Sequence, residues 1–310
     1  MTSPAKDLAV IIVTWNTRAL ALETLASLYA DLAISGLQAD VYVVDSASSD
    51  GTPQAIAEQF PQVNLIASAD NLGFARANNV ALREAGFDQS GPAPRAAYLL
   101  NPDTHTHAGA TRALFDALMS ASDIGVVGAN LTYGDGRFQH GAFAFPGLRQ
   151  LWVEFFPTPG RFIEGRFNGR YPRALYNGMT PFEVDFTLGA TWMLRREVVQ
   201  QVGMFDESYF MYCEEIDWAW RIRKAGWRIM SVPRAHVTHY GGQSTAQVRP
   251  RSIVDLWTSR LGLFEKHYPA WKLAIARRLI AVGMARKAAR EPDPALRTAY
   301  LTVKSMAENA

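Results

Sequence analysis

The chain has 310 residues, 48% of them hydrophobic and 19% charged, and carries a net charge of +2. That balance supports a full core in one large domain, or a domain with an appendage, and excludes a chain-wide field pointing to nucleic acid or acidic partners. A single cysteine, Cys213, rules out an internal disulfide framework and any multi-cysteine metal site, and suits a reducing cytoplasm. Met1 to Lys6 is too short and polar for a signal peptide, and no apolar run reaches the ~18 residues of a membrane span. The expectation is a cytoplasmic protein that at most touches the cytoplasmic face of the inner membrane.

In chain order, Leu8 to Val13 is a continuous apolar, β-branched run, the pattern of a strand buried on both faces. Thr14-Trp15-Asn16 ends it, and Ala19 to Tyr29 reads as a helix. Val41 to Val44 is a second buried strand, followed by Asp45 to Thr52 and a helix from Pro53 to Gln59. Val63 to Ile66 is a third strand. Asn71 to Asn79 opens a helix running to about Ala85, and Ala97 to Leu100 is a fourth strand stopped by Asn101-Pro102-Asp103. Strands alternating with helices at this spacing predict βαβ units and a parallel sheet, with ligands at the carboxyl ends of the strands. No Gly-x-Gly-x-x-Gly follows the first strand and no Gly-x-x-x-x-Gly-Lys occurs, which disfavours dinucleotide-binding and P-loop domains.

Three polar positions stand out, two of them at predicted strand ends. Asp45 is either a turn acid or an acceptor for a base imide or a ribose hydroxyl. Asp103, stiffened by Pro102, is placed to hold a hard divalent ion on a diphosphate, although a plain Asn-Pro turn explains the same residues. His239, in a predicted Gly-rich loop after a strand at Trp227 to Val232, is a candidate metal ligand or phosphate donor, or a structural histidine. Gly134 to Asn177 has poor periodicity and reads as a long loop or lid-like insertion. Around Gly189-Ala190 the missing side chain would let a ligand approach. From Ser252 the chain reads as helical, and its basic helix fits either an anionic membrane surface or a packed helical tail.

The most informative stretch is Phe205 to Gly226. Glu214, Asp217, Arg221 and Lys224 form one charged stripe of a helix and are expected on its solvated face. Glu215 instead begins the opposite stripe with Trp218, Ala219, Ile222 and Ala225, where desolvation is expected to raise its pKa toward that of a general base. An acidic helix start explains the same residues. Gly226 is placed to stop the helix. Trp192, Trp218 and Tyr212 are candidate stacking surfaces for a sugar ring, with core packing the competing role for Trp218.

In order, these pieces resemble the family 2 glycosyltransferases, inverting nucleotide-sugar enzymes of GT-A fold, and most of all a rhamnosyltransferase-like branch. The resemblance rests on Val13-Thr14-Trp15-Asn16, Val44-Asp45 through Thr52, Asn71 to Asn79, Leu99 to Asp103, Gly189-Ala190, Gly203 to Glu207, Glu214 to Asp217 with Arg221, and His239 to Thr245. It implies an α/β fold, a mostly parallel sheet flanked by helices, over residues 1–245, with a helical C-terminal extension over 246–310 that meets a membrane surface or another copy. It implies a nucleoside diphosphate sugar donor, dTDP-rhamnose ahead of a UDP-hexose, and a glycan or lipid-linked acceptor of the cell envelope. Thr14 and Asp45 would contact the pyrimidine nucleoside, with Asn16 and Gly189 also on the donor side. Arg76 would reach the base or diphosphate, and Asp103 would bind Mg or Mn with His239 completing the site. Glu215 would be the catalytic base, with Asp217 as runner-up. Asn101 replaces the first acid of the family's Asp-x-Asp, which removes one charge from the metal site, and a Glu stands where the family has an Asp as base. Both departures leave open a non-catalytic subunit that binds a nucleotide sugar or a glycan.

Overall fold

The computed structural model describes residues 6–88, 93–241 and 249–309. The first part runs β1 (Leu8–Thr14), α1 (Arg18–Ser35), β2 (Ala39–Ser46), α2 (Thr52–Gln59), β3 (Asn64–Ser68), α3 (Gly73–Glu84), β4 (Ala96–Leu100), β5 (Thr104–Thr106), α4 (Ala110–Met119) and β6 (Ile124–Thr132). There follow β7 (Phe138–Gln139), β8 (Ala142–Phe143), α5 (Leu148–Phe155), α6 (Gly160–Ile163), α7 (Arg173–Tyr176), β9 (Phe182–Val184), β10 (Phe186–Thr187) and β11 (Thr191–Arg195). The last part is α8 (Arg196–Val202), α9 (Glu214–Lys224), β12 (Arg228–His239), α10 (Arg249–His267), α11 (Ala270–Arg290) and α12 (Pro294–Asn309).

The main sheet has the order β3-β2-β1-β4-β11-β6-β12-β5, with β7 on β6 and β9 on β12. Its first four strands are parallel, as is β6 with β12, while β11 runs antiparallel between β4 and β6. The period-2 pleat divides β1 between two cores. Leu8, Val10 and Ile12 face the layer of α1 and α4, and Ala9 and Ile11 face the layer of α3 and α9. β4 does the same with Ala96, Tyr98 and Leu100 against Ala97 and Leu99. This is why the sequence shows unbroken apolar runs there. A third core joins the C-terminal helices to α5 through Leu151, Trp257, Phe264, Ile280, Met284 and Val303.

Three expectations are corrected. Residues 134–177 are not one long loop but carry two short strands, three α-helices and a 3₁₀ turn, none longer than eight residues and so too short to show a period. The strand expected to stop at Val232 continues to His239, because Pro233 sits at a register shift between Val232 and His236 where no ladder N–H is needed. His239 therefore stands at a strand end and not in a loop; Gly242 to Thr245 of its motif lie outside the described residues.

The third correction concerns α9. Glu214 and Asp217 are buried, not solvated, because α10 covers that side of the helix. His267 and Lys266 of α10 reach the Asp217 carboxylate at 2.7 and 2.8 Å, and Arg221 reaches it from within α9 at 2.9 Å. Burial tends to raise its pKa, but the contacts with His267, Lys266 and Arg221 overcome this and hold the carboxyl well below the usual range. Trp218, Ala219 and Ile222 are buried, with the Trp218 indole donating to the Gly203 carbonyl at 2.9 Å. Trp192 and Trp218 are fully buried against one another, with ring centroids 5.9 Å apart, so neither offers a face to a sugar.

Candidate active site

A cavity of about 640 Å³ opens at the carboxyl ends of β1 and β4. Thr14, Asn101, Asp103, Gly189, Glu215 and His239 all line it, from five separate segments of the chain. Tyr212 lines it as well. Asn16, Asp45, Arg76 and Asp217 do not. Asp45 adjoins the cavity through Thr14, whose hydroxyl donates to Asp45 Oδ2 at 2.9 Å while the Ser48 N–H donates to Oδ1 at 2.9 Å. Asn16 braces the same corner, accepting from the Ser49 N–H at 2.8 Å. Arg76 is exposed on α3, near Glu207 rather than the cavity.

Among the described residues, the non-glycine positions with positive φ are Asn16 (50°), Ala47 (63°), Tyr212 (70°) and Cys213 (65°). The first two sit in the loops after β1 and β2, and the other two lead into α9. Left-handed backbone at non-glycine residues costs energy and gathers at functional sites. Here it turns the chain so that α9 begins with Glu214 and Glu215 at the cavity wall. Nothing in the residue types of Tyr212 and Cys213 announces this. Gly73 is required for a different reason: at φ +71° it lies against the Phe210 carbonyl, where any side chain would collide. The Phe74 N–H donates to that carbonyl at 3.0 Å, tying the α3 loop to the α9 lead-in.

Glu214 and Glu215 each keep one buried carboxyl oxygen without a hydrogen-bond partner. Burial is the main cause of a raised pKa in both, and the Glu215 charge pushes Glu214 up further. Glu215 is pushed up to about 7, held back by N–H groups at the start of α9, its own and that of Ile216. Such a carboxyl is poised to take a proton near neutral pH. Gly189 lies beside the acid, where an alanine Cβ would make an ordinary contact with the Glu215 side chain at 3.6 Å.

Across the cavity, Asp103 Oδ1 lies 3.5 Å from His239 Nε2, which is also 3.5 Å from the Asn101 amide. Gln139 fixes the other ring nitrogen of His239 at 3.2 Å. Among the described residues no three His, Cys, Asp or Glu side chains converge as a complete cage. A carboxylate and an imidazole nitrogen, with the Asn101 amide beside them, nevertheless suit a cation that takes its remaining ligands from water and a diphosphate. The residues fit such an ion.

α10 supplies what the sequence did not mark as part of the site. Leu256, Arg260, Leu263 and Phe264 line the cavity opposite the sheet, and the Ser259 hydroxyl donates to the Met211 carbonyl at 2.8 Å. Between α5 and α10 the cavity has an apolar wall of Leu151, Val153, Leu256 and Phe264, crossed by the Glu154–Arg260 ion pair at 2.5 Å.

This architecture, a mostly parallel sheet flanked by helices with a cavity at its carboxyl edge, is that of a GT-A glycosyltransferase. The sequence profile described as Glycosyl transferase family 2 matches residues 9–203, and the chain belongs to that family. It is 32% identical over 217 residues to N-acetylglucosaminyl-diphospho-decaprenol L-rhamnosyltransferase of Mycobacterium tuberculosis, covering 67% of this chain and 68% of that protein. It is 27% identical over 221 residues to the low-salt glycan biosynthesis hexosyltransferase Agl10 of Haloferax volcanii, covering 70% and 62%. Among solved structures, the mannosyltransferase PcManGT of Pyrobaculum calidifontis, in complex with GDP-Man and Mn2+, superposes with a TM-score of 0.55 at 20% identity. That match covers 99% of this chain and 85% of the other and supports the shared fold. No helix among the described residues is long and apolar enough to cross a membrane.

Proposed function

We propose that this glycosyltransferase moves a sugar, rhamnose from dTDP-rhamnose before a hexose from a UDP-sugar, onto a hydroxyl of a lipid-linked or cell-envelope glycan, with inversion. The observation that carries the proposal is the enclosed, pKa-raised carboxyl of Glu215 in one cavity with Asp103 and His239. In a single in-line displacement Glu215 takes the acceptor hydroxyl proton as that oxygen bonds to the anomeric carbon. The bond to the diphosphate breaks on the opposite side, and its electron pair leaves with the nucleoside diphosphate. Asp103, with His239 and Asn101 beside it, would hold a divalent cation, whose chemistry is to neutralise charge gathering on the departing diphosphate. Thr14 and Asp45, with Asn16 bracing their loop, hold the nucleoside at the ends of β1 and β2. Arg76 stands too far round α3 to share in this, and Asp217 is engaged in ion pairs outside the cavity.

Two features favour a lipid-linked acceptor: the apolar wall between α5 and α10, and the 32% identity to an enzyme whose name specifies a diphospho-decaprenol acceptor. A non-catalytic binding subunit would not need a carboxyl at the cavity wall whose pKa is raised to about 7. Asp103→Ala is expected to abolish transfer and to remove the effect of Mg or Mn on donor affinity in calorimetry. An active Asp103→Ala enzyme indifferent to chelator would refute the metal site.

A further inference from the structure

A second surface of the molecule has no role in the chemistry above. On α11, Trp271, Ile275, Arg278, Val282 and Arg286 recur at i, i+4, i+7, i+11 and i+15, which at 100° per residue is one narrow face. Trp271 is 62% exposed, and Ile275 and Val282 are each 44% exposed. The opposite face, with Ala276, Ile280 and Met284, is buried in the third core. α11 holds six basic residues and no acid. Arg277 and Lys287 pair with Glu265 and Glu154, but Arg278, Arg286 and Arg290 have no ion-pair partner among the described residues.

The face continues onto α5. Phe155 packs into the notch left by Gly283, bringing Phe156 under the Arg286 guanidinium, 4.9 Å from its ring centroid. Trp152, 46% exposed, stacks on Phe156 at 4.5 Å. Beside this patch lies a notch of about 510 Å³ walled by Phe155, Arg286, Lys287, Arg290 and Tyr300, with Glu291 at its edge. Exposed tryptophans beside unpaired arginines are a poor surface for water. They match the interfacial zone of a bilayer, where indoles sit at headgroup depth and cations meet lipid phosphates.

We propose that the α5–α11 face docks the enzyme on the surface of a bilayer rich in anionic phospholipid, with the basic notch receiving a lipid phosphate. α5 contributes to both features at once: Leu151 and Val153 line the cavity and Trp152 faces outward. Docking on this face therefore sets the apolar wall of the active-site cavity beside the membrane. The inference goes beyond the transferase assignment, because binding to lipid is read without turnover.

The test is flotation of the full-length chain with vesicles of phosphatidylcholine alone and with vesicles rich in phosphatidylglycerol. Binding to the anionic vesicles only, weakened by added salt, is the expected result. Each cationic side chain at such a surface contributes about fivefold in partitioning, so Arg278→Gln, Arg286→Gln and Arg290→Gln together should weaken binding roughly a hundredfold. Lysine at the same three positions should keep it, and Trp152→Ser with Trp271→Ser should lower it. All these variants should keep the parent Tm and turn over a water-soluble acceptor normally, since none touches the cavity. Failure of the parent to float, equal flotation on neutral vesicles, or a glutamine variant that binds as well as the parent would overturn the proposal. A chain that floats as described but transfers no sugar would leave the docking face standing and sink the transferase assignment instead.

Discussion

Glu215→Gln is expected to lower turnover by about 10²–10⁴-fold, the usual contribution of a general base, while leaving donor binding intact. The amide keeps the volume of the side chain and its place against Gly189, so a loss confined to kcat reports the proton transfer and not a collapsed pocket. The same residue sets the pH dependence. Because burial pushes Glu215 up to about 7, the base is protonated and idle below that pH and becomes competent above it. Activity should therefore climb as pH rises through about 7, and the glutamine variant's residual rate should lose that limb. Glu214 lies beside it and is pushed up by burial and by the Glu215 charge, so it is still neutral as Glu215 titrates and Glu214→Gln should leave the limb in place. A turnover limb unchanged by Glu215→Gln would remove the base from this position.

Asp217→Ala is the opposite kind of variant, with its expected effect in stability. Its carboxylate is fully buried and paired with Arg221, Lys266 and His267. Removing it takes the partner from the buried His267 side chain and leaves Lys266 with Asp206 and Arg221 with the Val202 and Met204 carbonyls. Breaking a buried pair of this sort costs ~3–5 kcal/mol. A fall in Tm on the order of 10 °C follows by the usual scaling. The sign of the pH effect is also fixed. A carboxyl whose folded pKa is depressed contributes stability that is fully present above its unfolded value of about 3.9 and is lost as pH falls toward the folded one. Acid unfolding of the parent should therefore be steepest below about pH 4, and the alanine variant should lack that component. Protein that remains folded should retain donor binding, because Asp217 does not line the cavity. An unchanged Tm would mean that the α9–α10 clasp does not hold the site together.

The contrast between these two acids shows where the sequence was legible. The βαβ half could be read because a strand buried on both faces must be apolar at every position, as Leu8 to Val13 and Ala96 to Leu100 are. The polar residues that stop those strands then fell at one edge of the sheet, and Thr14, Asn101 and Asp103 do share a cavity there. Helix phase misplaces the acids of α9: it puts Glu215 on the buried face and Glu214 and Asp217 in solvent, whereas Glu215 is half-buried at the cavity wall and Glu214 and Asp217 are buried. What covers them, His267 and Lys266, stands about fifty residues further along the chain, and no local pattern records such a contact. For the same reason the cavity-lining role of Leu263 and Arg260 was invisible. Backbone strain at Tyr212 and Cys213 leaves no mark either, since these residue types occur freely in ordinary conformations. Pro233 misled in the ordinary way: it normally ends a strand, and here it occupies a bulge.

The most direct measurement is release of nucleoside diphosphate from a panel of nucleotide sugars, with and without divalent metal and with a polyprenyl-diphosphate-linked glycan as acceptor. Metal-dependent release that needs the acceptor hydroxyl is expected, fastest from dTDP-rhamnose and absent from Glu215→Gln. Tight donor binding with no release from any sugar in the panel, by the parent chain at pH 8, would contradict this mechanism.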